Sequence, residues 1–263
     1  MVRLSLAARI ATAAVVCLLY ASATPAYKAV ANAADVKVLA TVALDAALNE
    51  IVPAFERVSG TKVVVDYGVS AQVKNRILRG ERADVIVLTR TAMNDLEKQN
   101  KLVPGSLASV GGTPVSVVVR AGASKPDISS VDALKQTLLS AKSIVYADPA
   151  KGGASGVHFA RVLDRLGLAN QLRAKTILVP GPQAAEMVAK GKAELGIVEA
   201  SAIVTVNGAQ LVGPLPSEVA STIEIVAGIG ADAQSPEAAK AFIQFIKGPT
   251  AAPILKAKGF APN

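Results

Sequence analysis

The feature that most constrains this chain is a regular alternation of short β-branched, apolar runs with amphipathic helical stretches. An apolar run at 36–42 is followed by Leu44, Leu48, Ile51, Phe55 and Val58, whose spacing repeats one face of a helix. The same grammar continues with strands at 61–67, 83–89, 115–120 and 143–147, and with helices at 70–79, 92–100 and 131–140. The second half repeats it: a helix at 155–166, a strand at 176–179, a helix at 184–190 and a strand at 195–198, then a strand at 222–230 and helices at 236–246 and 250–256. Strands and helices taking turns predict mainly parallel sheets flanked by helices. The chain has 263 residues, which divides naturally into two α/β lobes of roughly 100 residues each. The apolar strand at 222–230 can recross between the lobes, and the last two helices are expected to pack back on the first.

Composition narrows the function. Residues 1–34 read as an export signal: Arg3 and Arg9 precede an apolar stretch at 11–23, and Ala31-Asn32-Ala33-Ala34 resembles a cleavage site. The apolar stretch is shorter than the roughly 20 residues a spanning helix needs, so a periplasmic address is expected. Cys17, the sole cysteine, falls inside the leader, and His158 is the sole histidine. Disulfides, iron–sulfur clusters and Cys-rich zinc sites are therefore excluded, and no metal site is expected. Removing Arg3, Arg9 and Lys28 leaves 25 Lys and Arg against 20 Asp and Glu, a net charge of +5. That modest, scattered charge, with 3% aromatic residues and no Trp, speaks against nucleic acid and for a small anion.

In open α/β sheets, ligands sit at the carboxyl ends of strands, where helix N-termini direct N–H groups at the site. The strand-to-helix turns at 41–44, 67–70, 89–90, 148–156, 180–183 and 199–201 are the places to look. The fourth and longest of these turns, Asp148 to Gly156, combines adjacent glycines with Ser155 at a helix start and looks like an anion cradle. It fits neither the Walker nor the GxGxxG pattern, so no nucleotide cofactor is implied. Each residue also has a plain structural reading. Ser70 and Ser155 can be helix N-caps, Arg90 can form a surface ion pair rather than a bidentate contact with a ligand carboxylate, His158 can donate to a backbone carbonyl, and Glu199 can pair with Arg90 or Lys151. Glu199 and His158 are the titratable residues expected to border the cleft, and hence the candidates for acid–base chemistry. One histidine among several serines supports no hydrolytic triad.

Six segments together resemble the periplasmic molybdate-binding proteins and the wider type II solute-binding proteins of ABC transporters. They are VKVLATVALDAALNEIVPAFERVSG (36–60), YGVSAQVKNRI (67–77), RADVIVLT (82–89), ADPAKGGASGVHFARVLDRLG (147–167), GKAELGIV (191–198) and KGPTAAPILKAKGF (247–260). The resemblance implies a periplasmic-binding-protein type II fold with a ligand cleft between two lobes. Lobe I would comprise 35–114 with 230–263, and lobe II 115–229. It also implies a monomer that hands its ligand to an ABC transporter permease. Molybdate binders of this family use a serine in the first turn, a serine in the second, backbone N–H groups of two later helices and a tyrosine after the last strand. Here those positions fall on Ala43, beside Thr41, then on Ser70, near Ser155, near Gly181 and on Glu199. An acid facing a dianion is costly, so the pattern points away from molybdate or tungstate and toward an organic carboxylate met by Ser70, Arg90, Lys151 and Ser155. The broad family also contains an exported enzyme, aconitate isomerase, which interconverts cis- and trans-aconitate by an allylic proton shift. Glu199 or His158 would serve as the base in that alternative.

Overall fold

The computed structural model describes residues 35–261; the expected leader lies outside them. In the first half of the chain, β1 (Val36–Thr41), β2 (Val63–Gly68) and β3 (Val85–Thr89) alternate with α1 (Asp45–Ser59), α2 (Ser70–Leu78) and α3 (Arg90–Lys98). A 13-residue strand, β4 (Ala108–Arg120), leads to α4 (Val131–Ser140), β5 (Ile144–Ala147), α5 (Ala154–Arg165) and α6 (Ala169–Leu172). Then follow β6 (Thr176–Val179), α7 (Ala184–Ala189), β7 (Leu195–Glu199), α8 (Ala200–Val204) and β8 (Ala209–Pro214). The chain closes with β9 (Thr222–Ile229), α9 (Pro236–Ile246) and α10 (Ala251–Ala257).

The strands follow one curled path, β2-β1-β3-β9-β4-β7-β5-β6, with β8 added on β4. At one end β2, β1 and β3 are parallel; at the other, β6, β5 and β7 are parallel. The middle is antiparallel. The first part of β4 pairs with β9, and the second part pairs with β7 and β8. Parallel pairing thus holds within each end, where crossover helices connect the strands, and gives way where the chain itself passes between the halves. The strand β9, expected to recross between the lobes and placed by the implied bounds in lobe II, is hydrogen-bonded to β3 and to the first part of β4.

Each end has its own core. In the first, Leu44, Leu48, Ile51 and Phe55 are buried as the helical spacing requires, whereas Val58 is 52% exposed, because α1 ends there and turns out through Gly60. Phe55 meets Phe242 and Phe245 edge to face, with centroids 5.0 and 5.4 Å apart. The two C-terminal helices therefore pack on the first half, their apolar faces sharing its core with α1. In the second, Tyr146 stands edge-on to Phe159 at 5.1 Å, tying β5 to α5.

Candidate functional site

All six strand-to-helix turns open on one cavity of about 560 Å³ between the two halves. That is within the size range of small-molecule sites. Thr41, Ala43, Ser70, Arg90, Ser155, Gly181, Glu199 and His158 all line it. Lys151 does not: it ends a 3-10 turn at Pro149–Lys151 and is exposed outside the lining.

The helix starts around the cavity are left open by their own side chains. At α2, α3 and α5 the N-cap residues are Val69, Thr89 and Gly153, and none makes a side-chain capping hydrogen bond. The capping roles open to the two serines are not the ones they take. Ser70 is the first residue of α2, and its Oγ accepts the Thr89 amide at 3.3 Å, joining two of the turns. Ser155 is the second residue of α5, only 1% exposed, and its Oγ makes no hydrogen bond of ordinary geometry. A buried hydroxyl without a well-formed hydrogen bond beside uncapped N–H groups is costly in an empty protein and useful in a loaded one.

Glycines set how closely these turns approach. Gly153 and Gly156 let the start of α5 lie against the end of β5, where a side chain at either position would strike Ala147. Gly152 (φ +77°) sits where a Cβ would come within 2.7 Å of the Ala71 methyl, and a Cβ on Gly181 would lie 3.5 Å from Val69 Cγ2. The lips of the cavity, one from each half, therefore come together at small residues.

The charges in the cavity are mostly matched internally. Arg90 grips Glu224 with Nε at 3.0 Å and Nη2 at 2.5 Å, so the acid facing it is a residue of β9. Lys74 pairs with Asp95 at 2.7 Å. His158 Nε2 lies 2.9 Å from the Val219 carbonyl, which fixes the proton on that nitrogen as donor. Glu199 is in no ion pair among the described residues, with neither Arg90 nor Lys151 as a partner. Burial pushes its carboxyl above the ordinary carboxylate range, opposed by hydrogen bonding from its own amide and by the nearby Ser155 hydroxyl and amide. It is thus an acid held toward its neutral form inside a polar cavity. Among the described residues, no three His, Cys, Asp or Glu side chains are grouped to hold a metal ion.

Sequence reasoning missed Glu224 and Arg161, which also line the cavity. The signal for Glu224 was present as an acid between Ile223 and Ile225 in a strand otherwise apolar. Arg161 lies one turn beyond His158 on α5 and carries no comparable mark.

The family model for bacterial extracellular solute-binding proteins matches residues 36–261. Aconitate isomerase from a Pseudomonas species is 32% identical, over 86% of this chain and 87% of that protein. The molybdate-binding protein of Azotobacter vinelandii is 30% identical, over 88% of this chain and 91% of its own length. The solved structure of the periplasmic molybdate-binding protein from A. vinelandii superposes with a TM-score of 0.72 at 24% identity, covering 87% of this chain and all of that one.

Proposed function

Because this chain belongs to the bacterial extracellular solute-binding protein family, we propose that it captures a small organic polycarboxylate between its two halves, in the periplasm, for an ABC transporter permease. The observation that carries this reading is the buried Ser155 hydroxyl, which makes no hydrogen bond of ordinary geometry, at the uncapped start of α5, inside a cavity also lined by Ser70 and Arg90. A carboxylate oxygen there completes the hydroxyl's hydrogen bonding and meets orphan N–H groups, each charge-assisted contact contributing about 1.5–3 kcal/mol. Lobe closure at Gly152 and Gly181 would exclude water from these contacts.

Two features favour a carboxylate over molybdate: Ala43 offers no hydroxyl at the first turn, and the cavity is roomier than one tetrahedral oxyanion requires. A thermal-shift panel of molybdate, tungstate, sulfate and di- and tricarboxylates tests the reading. A ligand at 100 times its Kd stabilises the fold by about 2.7 kcal/mol, and the carboxylates are expected to give the shifts.

A second reading is favoured by Glu199 and by the 32% identity to aconitate isomerase. A carboxyl with an elevated pKa beside a bound tricarboxylate is suited to take a proton from one allylic carbon and return it to the other. Incubation with trans-aconitate in deuterated water, followed by proton NMR, tests this. Conversion with label uptake that is lost in Glu199→Gln supports catalysis, and an inert mixture leaves binding alone.

A further inference from the structure

We propose that Glu224 is a positioning residue that clamps one face of Arg90 and so turns the opposite guanidinium edge into a selector for planar carboxylates. The inference rests on the proposed carboxylate reading of the cavity and adds to it a residue and a basis for choosing among anions.

The two side chains are brought together by strand register. Thr89 pairs with Ile225 across β3 and β9, so Arg90, the next residue, starts α3 beside Glu224. The carboxylate accepts from Arg90 Nε at 3.0 Å and Nη2 at 2.5 Å, and the Ser109 hydroxyl on β4 donates to the same carboxylate at 3.2 Å. Three elements thus hold one acid, and that acid holds the side-on face of the guanidinium. A guanidinium carries five N–H donors in one plane. Two are used by Glu224; those on Nη1 and the second on Nη2 have no other partner among the described residues. Arg90 and Glu224 both line the cavity, and the remaining edge is assigned to a ligand there. Two parallel N–H groups in a fixed plane match a carboxylate, whose two oxygens are coplanar, better than a tetrahedral oxyanion. A mobile Arg90 would act as a simple positive charge and make no such distinction.

The sign of the effect separates this from electrostatics alone. Removing a negative charge from the wall should favour every anion. Loss of the clamp should instead weaken carboxylates selectively. In Glu224→Gln, titration calorimetry at fixed low ionic strength is expected to show tricarballylate binding weakened at least tenfold, with sulfate affinity unchanged or increased. Arg90→Lys, which keeps the charge and loses the fork, should show the same selective loss. Adding Glu224→Gln to Arg90→Lys should then cost nothing more, since Glu224 acts through Arg90. Tricarballylate binding that is unchanged or tightened in Glu224→Gln overturns the inference and leaves the carboxylate reading standing. Equal weakening of both anions in a variant whose melting is unchanged also overturns it. Failure of the unaltered protein to bind tricarballylate overturns the carboxylate reading and this inference with it.

Discussion

Gly156 rests against the end of β5 so closely that a Cβ on it would lie 1.8 Å from the Ala147 carbonyl oxygen. That contact seats the start of α5, with Ser155 beside it, at the cavity wall. Gly156→Ala must push the helix start away from the strand. Overpacking of this kind costs about 1–3 kcal/mol, and displacement of the α5 N–H groups should weaken anion binding by more than tenfold. Urea denaturation and calorimetry with tricarballylate read the two effects; a variant with unaltered affinity would show that α5 does not carry the site.

Ser155→Ala should separate binding from stability. Its Oγ makes no hydrogen bond of ordinary geometry and has only the nearby Glu199 carboxyl to interact with, so deletion should change stability by less than about 1 kcal/mol. Carboxylate affinity should nonetheless fall by about tenfold, the worth of one net hydrogen bond of about 1.4 kcal/mol. A loss of stability without a loss of affinity would return Ser155 to a purely structural role.

Much of this was legible in the sequence where periodicity was strong and local. The helices at 131–140 and 236–246 and the strand at 176–179 occur at the expected residues, because an apolar face or a β-branched run fixes each one without help from distant contacts. Elements held by tertiary pairing were not. The first part of β4 contains Gly111, Gly112 and Pro114 and reads as a loop, yet β9 organises it into a strand. The strand β8 ends in Gly213-Pro214 and exists as a partner of β4. At the site, turn position alone gave Ser70, Arg90, Ser155, Gly181 and Glu199 a common cavity, since strand ends in such sheets converge. It gave no hint that Arg90 is gripped by Glu224, 134 residues away, because that pairing depends on the register of β3 against β9.

Asp84 ties the first half together at the end of β3 away from the cavity. It is 5% exposed, and its carboxylate accepts the Lys37 amide at 2.8 Å and the Gln234 and Ser235 amides at 2.7 and 2.8 Å. In Asp84→Asn one acceptor becomes a donor facing an N–H group. A destabilisation of about 2–3 kcal/mol is expected, seen as a lower urea midpoint with tricarballylate affinity retained. A midpoint within error of the parent would contradict the role assigned to this carboxylate.

Glu199 predicts a pH dependence of a particular sign. Burial raises its folded-state pKa above the ordinary 4.5, so the folded protein holds this proton where the unfolded chain has released it. Its contribution is fully present below about pH 4.5 and is lost as pH rises through the folded value. Glu199→Gln, neutral at every pH, should therefore gain stability relative to the parent as pH increases above 4.5. Urea midpoints from pH 4 to 8 check this; parallel curves for the two proteins would mean that the carboxyl is not held toward its neutral form.

The most direct measurement is a crystal structure of the protein with tricarballylate. A carboxylate is expected within hydrogen-bond distance of Ser155 Oγ and the first amides of α5, with a second carboxylate on the edge of Arg90 opposite Glu224. Tricarballylate bound outside the cavity, or a cavity that takes molybdate under the same conditions and leaves the carboxylate in solution, would contradict the account.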